Sequence, residues 1–448
     1  MRWTKVAGWG FVVGLVLLAI LVTYKAPKQH VAPAAATPPA IPTAKAVEAG
    51  SHPSFLYGRI TTADGAAYEG RLRLGGDQEA FWGDYFNGDK KASPWVAQVP
   101  PERLPKEHDS IEIFGFKLAQ RERLKDLGRR FMARLGDIAR IEAHGRDVRV
   151  ILKSGTVFDL NRFGASDFDD GVRVWDSSRG VVDLDSVRIR TIELLASPRP
   201  AAAPDRLHGT VRTGHGEFTG FVQWDRQECL GSDELDGHAD DGEHKVRFDT
   251  IRSIARRSNE SSLVTLRDGR ELVLSGTNDV NGDNRGIYVD DPRYGRVLVS
   301  WDAFERVDFS PGGSGPAYGD FPPGVPLRGT VHTRDGRDLT GRMAYDLDES
   351  ETTETLDAPL HGVDYTIPFG LVASIVREGL EGPGPPHNRV VLQGGEELPL
   401  EPSGDLGEQN AGMLVLVDGG QRSQYVPWTD VARIDFDRPP AMYPLLHP

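Results

Sequence analysis

The feature that most constrains this chain is a spacing. Apolar residues recur at i, i+3 and i+6 where strand-like runs close: Leu135/Ile138/Ile141, Phe248/Ile251/Ile254, Trp301/Phe304/Val307, Phe369/Val372/Ile375 and Trp428/Val431/Ile434. A looser copy, with two extra residues, lies near Leu184 and Ile192. A step of three is one 3₁₀ turn, in which the side chains at i and i+3 eclipse. The triplets therefore predict a strand, a single 3₁₀ turn and a second short strand. All three apolar residues should be buried, with the middle one on the turn.

The triplets sit inside a longer repeat. LHGTVRTGHGEFTGFVQWD from Leu207 parallels LRGTVHTRDGRDLTGRMAYD from Leu327 and LYGRITTADGAAYEGRLRL from Leu56. Further on, VTLRDGRELVL from Val264 aligns without a gap with VVLQGGEELPL from Val390 and VILKSGTVFDL from Val150. Period-two alternation marks these runs as strands. The column Gly155/Gly269/Gly395 supplies a positive φ for a hairpin turn. Breaks rich in Pro, Ala and Gly at Ala196–Pro204 and Ser310–Pro326 separate repeats at 55–195, 206–309 and 327–437, and a tail follows at 438–448. Units this long indicate duplicated domains, not a solenoid.

Each half-repeat reads as a hairpin, a third and a fourth strand, a 3₁₀ turn and a fifth strand. In the first repeat the halves are 55–143 and 146–194, the former interrupted by an unmatched insertion at 89–134. This order resembles the Sm-like and SH3-like small barrels. The expected fold is mainly β: one N-terminal transmembrane helix, then three tandem repeats, each of two small five-stranded SH3/Sm-like barrels. The resemblance lies at the level of the fold and carries no activity with it. Peptide-binding SH3-like domains use an aromatic-lined groove. Here the alternation turns Trp224, Trp301 and Trp428 inward.

The N-terminus indicates a compartment. No charge occurs in the 19 residues between Lys5 and Lys25, about the length that crosses a hydrocarbon core of roughly 30 Å. Secretory signal cores are shorter, about 7–15 residues, so an uncleaved anchor at 1–25 is expected; Ala-x-Ala sites at Ala32–Ala36 are the feature that favours cleavage instead. Residues 26–50, of which 14 are Ala or Pro, form an extended spacer. The balance of Arg2, Lys5 and the amino terminus against Lys25 and Lys28 predicts an N-terminus inside and a body on the outer, periplasmic or extracellular, side.

The formal net charge is −14. The first fifty residues carry Arg2, Lys5, Lys25, Lys28 and Lys45 against Glu48, a sum of +4, so the remainder carries −18. An acidic body repels phosphate backbones, which argues against nucleic acid as a partner. With Cys229 as the one cysteine, an intrachain disulfide framework is excluded.

The strip after the first hairpin aligns in all three repeats: GDQEAFWGDYFNG from Gly76, DRQECLGSDELDG from Asp225 and DLDESETTETLDA from Asp346. It holds two acidic columns, Glu79/Glu228/Glu349 and Asp84/Asp233/Glu354. They form either an acidic ridge for cations or a basic partner, or a set of acids that pair with arginines and cap turns, as charges on exposed faces ordinarily do. Asp279, Asn281 and Asp283 hold the 1, 3, 5 spacing of a calcium loop. However, Asn284 stands where that loop wants Gly, and Asp290, not Glu, occupies position twelve. Asx turns explain the same residues. No cofactor is expected, calcium being the one candidate. His238 and His244 flank three acids in a polar loop without tight metal spacing. In the insertion, FKLAQRERLKDLGRRFMAR from Phe116 reads as a basic amphipathic helix, with Arg121, Lys125, Arg129 and Arg130 as candidates to bind this protein's own acidic surface or a partner.

Enzymatic motifs are absent: no HExxH, GxSxG, Walker lysine loop or GxGxxG. Cys229, beside Glu228, is a poor nucleophile. The expectation is a membrane-anchored, envelope-facing, non-enzymatic scaffold or protein-interaction protein, with another protein as partner. The alternatives are a cation-responsive binding protein using the acidic strips, and an enzyme of unrecognised type. The sequence names no small-molecule ligand.

Overall fold

The computed structural model describes residues 52–75, 78–104, 106–113, 116–124, 130–198, 204–378 and 387–439. The expected anchor and spacer, together with most of the tail, lie outside them. No helix of the described residues is long and apolar enough to cross a membrane. The fold is mainly β, in antiparallel sheets of ten, twelve and eight strands plus one separate hairpin. Among the described residues the single α-helix is a four-residue turn, Ser166–Asp169.

Each repeat contributes ten strands to the three large sheets, and the first adds the separate hairpin. In the second they are His208–Thr213, Gly216–Gln223, Glu234–Ala239, Gly242–Arg247, Ile251–Arg256, Ser261–Leu266, Glu271–Ser275, Ile287–Asp291, Gly295–Val299 and Phe304–Phe309. Numbered within the repeat, they lie side by side in the order 4-3-7-6-5-10-1-2-8-9. The first repeat has the same order. The third differs only in that its strands 3 and 4, Thr355–Leu360 and Val363–Pro368, leave its own sheet. They extend that of the second repeat, with Val363–Pro368 pairing against Gly295–Val299.

This order differs from the expected self-contained halves. The hairpin that opens each repeat pairs with strands 8 and 10 of the second half, not with strands 3 to 5 of its own. Arg73 lies opposite Arg173, and Thr210 opposite Asp308. In the first repeat, pairing thus crosses the boundary drawn between 55–143 and 146–194. The cause is the acidic strip between strands 2 and 3, which is too long for a tight turn and carries the chain away to the neighbouring five-strand group. Alternation sets the face of each side chain but not which strand lies beside it.

The triplets hold the arrangement together. All fifteen residues of the five regular triplets are at most 4% exposed. In four of the five, the first residue opens a 3₁₀ turn: Leu135–Asp137, Phe248–Thr250, Phe369–Leu371 and Trp428–Asp430. The middle residue is not on the turn as expected; it ends the turn or lies beyond it and opens the next strand, as Ile138 and Ile251 do. The third residues meet across the centre of each repeat: Ile141 opposite Ile192, Ile254 opposite Val307, Ile375 opposite Ile434. The spacing therefore encodes both a turn and the seam between strands 5 and 10. Gly155, Gly269 and Gly395 have φ of 88°, 90° and 95°, as the hairpin column requires.

The second and third repeats share one apolar core. The first has its own, completed by Phe321 from the linker before the third repeat. The described residues of its insertion contain no basic helix. Lys106–Ile113 and Phe116–Leu124 form a β-hairpin whose register sets Glu107 opposite Arg123 and Asp109 opposite Arg121. Opposite charges at facing positions favour a ladder, and this outweighs the helical spacing of the leucines. Before the hairpin, Val99 and Leu104 pack with Leu347, Leu414 and Tyr425 of the third repeat. This stretch straps the first repeat to the third.

Candidate functional site

The second acidic column has one role in all three repeats. Asp84 accepts from the amides of Glu79 and Ala80 at 2.8 Å each, and Asp233 from those of Cys229 and Leu230 at 2.8 Å. Glu354 does the same for Ser350 and Glu351 at 2.5 and 2.9 Å. These carboxylates cap the bend that leads the chain from strand 2 to strand 3. They are structural caps and not a ridge.

The first column diverges. Glu79 is paired with Arg71 and Arg73. Glu228 and Glu349 have no such cations, and one carboxylate oxygen of each lacks a hydrogen-bond partner. Burial, with Asp279 adding to it, pushes Glu228 up to about 8. Burial and the neighbouring Asp348 and Asp405 raise Glu349 well above the usual range.

Asp225, Glu228 and Asp279 bring ligand atoms within 4.8 Å of one another, the one such acidic group among the described residues. Its chemistry is mixed. Asp225 is fully buried and takes the Arg285 guanidinium at 2.8 Å. Asp279 accepts from the amide of Asp236 at 2.7 Å. The 1, 3, 5 spacing does not converge on a cation: Asp279 points inward, Asn281 accepts from the amide of Asp283 at 2.9 Å in an Asx turn, and Asp283 is exposed. His238 and His244 lie on a hairpin and not in a loop, with His244 2.6 Å from Asp241. Burial pushes the Cys229 thiol up to about 12, with Asp233 adding to it against the pull of Arg206. Of the basic candidates, Arg130 is exposed and stands opposite Asp89. Arg121 is in the hairpin; Lys125 and Arg129 lie outside the described residues.

A different cation reaches the acidic strip. Lys90, 6% exposed at its side chain, lies 2.5 Å from Asp348 and 3.9 Å from Glu354. Desolvation opposes its charge, but Glu354 and Asp348 together outweigh that and raise its pKa. The same neighbourhood holds Glu354 at about 7, burial raising it against the pull of Lys90.

Where the three repeats meet there is a cavity of about 60 Å³. Trp82 and Tyr85 come from the first repeat, Phe221, Asp290 and Arg296 from the second, and Pro368 from the third. Arg296 donates to Asp290 at 2.9 Å and to the carbonyl of Gly83 at 2.6 Å. A Cβ at position 83 would overlap this guanidinium, so a larger residue there would displace Arg296 from its place against the Gly83 carbonyl. Arg206 stands behind the wall, 3.4 Å from Asp290 and stacked between Trp82 and Phe221, its guanidinium 3.6 and 4.5 Å from their rings. Apart from Asp290, position twelve of the calcium-like spacing, none of these residues is among the candidates that the sequence suggests; the signal it did offer was departure from the repeat. Trp82-Gly83 replaces Gly231-Ser232 and Thr352-Thr353 in the aligned strips.

A second, open cleft lies between the second and third repeats. There His215 and His361 stack at 4.1 Å, and Arg256 is engaged by the carbonyls of Trp301 and Asp302. No family model matches the chain, and neither the curated proteins nor the solved structures contain a match.

Proposed function

We propose that this chain is a membrane-anchored, envelope-facing scaffold or protein-interaction protein, built from strand-exchanged pairs of small SH3/Sm-like barrels. One observation carries the reading: the repeats interlock, and their charged groups are used to hold them together. Lys90 joins the first repeat to the third, Arg296 joins the second to the first, and the 363–368 strand adds to the sheet of the second. A chain that uses its ionisable side chains this way has the makings of a rigid platform. The N-terminal apolar run would tether the platform and the Ala/Pro spacer would hold it off the surface. Crosslinking of the full chain in its native membrane, followed by mass spectrometry, should return a reproducible protein neighbour. Substrate turnover by the purified full chain would overturn the reading.

The cation-responsive alternative rests on the cluster of Asp225, Glu228 and Asp279. Calorimetry with calcium decides it: no heat at millimolar metal removes it.

A further inference from the structure

The cavity at the meeting of the three repeats has more buried donors than acceptors. Arg206 and Arg296 share one carboxylate, Asp290. The neighbouring acids are engaged elsewhere: Asp291 by Arg293 at 2.7 Å, Asp84 by two amides. Taken alone, Arg206, Arg296 and Asp290 carry one net positive charge, which the Asp84 carboxylate, bonded by amides that leave its charge in place, partly offsets at Arg296. The Arg206 side chain is 0% exposed and that of Arg296 8%. Even so, Nη2 of Arg296, Nε and Nη1 of Arg206 and Nε1 of Trp82 have no hydrogen-bond partner. A buried donor left without an acceptor is costly, and more so when it is charged. Trp82 and Arg296 line the cavity itself, with Asp290, Asp291 and Arg134, the last paired with Asp137, and most of the remaining wall is apolar, from Phe221, Phe321 and Pro368.

We propose that this cavity binds a small monocarboxylate with a short apolar body. The carboxylate offers only acceptors, which suits Arg296 and the indole N–H of Trp82. Its single negative charge opposes the net positive charge of the triad, whereas a dianion would meet Asp290 and Asp291. The apolar body suits the aromatic and proline wall. Because the wall comes from all three repeats, the occupant would also tighten their seating.

The test is calorimetry and thermal unfolding of the full chain in detergent, with acetate, propionate, phosphate and chloride compared at constant ionic strength. Propionate should give a saturable heat and a saturable rise in melting temperature; chloride should give neither. Arg296→Gln should weaken propionate binding about 10- to 100-fold, the loss of a charge-assisted hydrogen bond. Trp82→Phe keeps a ring beneath Arg206 and removes one donor, so it should weaken binding by about 3- to 10-fold. If Arg296→Gln does not fold, Trp82→Phe decides alone. Heats indistinguishable from chloride, equal binding by Trp82→Phe and the parent, or phosphate binding more tightly than propionate would each overturn the proposal.

Discussion

The seam between the second and third repeats is a β-ladder over a shared apolar core, whereas the first repeat is seated by buried charges beside a small apolar strap. In the ladder Val297 faces Tyr365 and Val299 faces Val363, and Tyr365 packs edge-on against Tyr294 at 5.8 Å. Around the first repeat the contacts are Lys90 on Asp348, Arg296 on Gly83, and Lys153 donating to the carbonyls of Tyr318 and Phe321 at 2.6 and 3.0 Å. An apolar seam is non-directional and holds no charge for salt to screen. A buried polar seam demands that each group find its partner, and it loses much when one is removed. The two seams should therefore break in different ways.

The largest effect should come from the shared core. Trp301, 4% exposed, lies edge-on to Trp224 at 6.2 Å. Trp301→Ala should cost about 3–5 kcal/mol, as for large aromatics removed from a core. Calorimetric unfolding should show the second and third repeats shifting together while the transition of the first stays in place. Separate transitions for those two repeats would mean that the core is not shared energetically.

The polar seam should yield less. Lys90→Met removes a cation that two acids rely on, yet those acids can take up protons, which caps the loss at about 2–3 kcal/mol. The loss should be greater at pH 8 than at pH 5, and hydrogen exchange should speed up in the 93–104 strap first. A uniform change over the whole chain would contradict the picture of a separately seated first repeat.

The acidic cluster of the third repeat gives a pH test. Glu354 is held at about 7 by burial, and burial together with Asp357 holds Asp405 at about 8. Both pKa values are raised above those of the unfolded chain, so the stability these groups contribute is fully present below about pH 4. It is lost as pH rises through 7 to 8. Glu349→Gln removes one of the clustered charges and lets the amide donate to neighbouring acids. It should raise stability by about 1–2 kcal/mol at pH 8 and by little at pH 5. A flat melting profile between pH 5 and 8 in the parent would show that the cluster does not ionise as described.

The smallest effect should be in the hairpin of the insertion. Arg121→Glu with Arg123→Glu sets like charges opposite Asp109 and Glu107. Facing pairs contribute about 0.2–1 kcal/mol each, so amide protection should fall within 106–124 while global stability changes by less than about 0.5 kcal/mol. A shift in the main transition would show that the hairpin supports the body.

Local spacing was enough to determine the parts that depend on near neighbours. The triplets read out as buried residues at turns because the step of three carries the chain from the start of a 3₁₀ turn to the start of the next strand, although the middle residue lies past the turn and not on it. The glycine column read out as hairpins because positive φ is a single-residue property. The second acidic column was legible as turn caps, since Asp84 reaches amides only four and five residues away. The hairpin at 106–124 was missed because helical spacing and cross-strand charge alternation coexist in one segment. What tertiary structure alone decided depends on distant partners. Strand exchange was invisible because alternation orients a side chain without naming its neighbour. Lys90 finds Asp348 across 258 residues, and Arg296 finds Gly83 across 213. Whether Glu79, Glu228 and Glu349 meet arginines or other acids is likewise a matter of what folds against them, because burial and the nearest charge, not the aligned column, set the cost of each carboxylate.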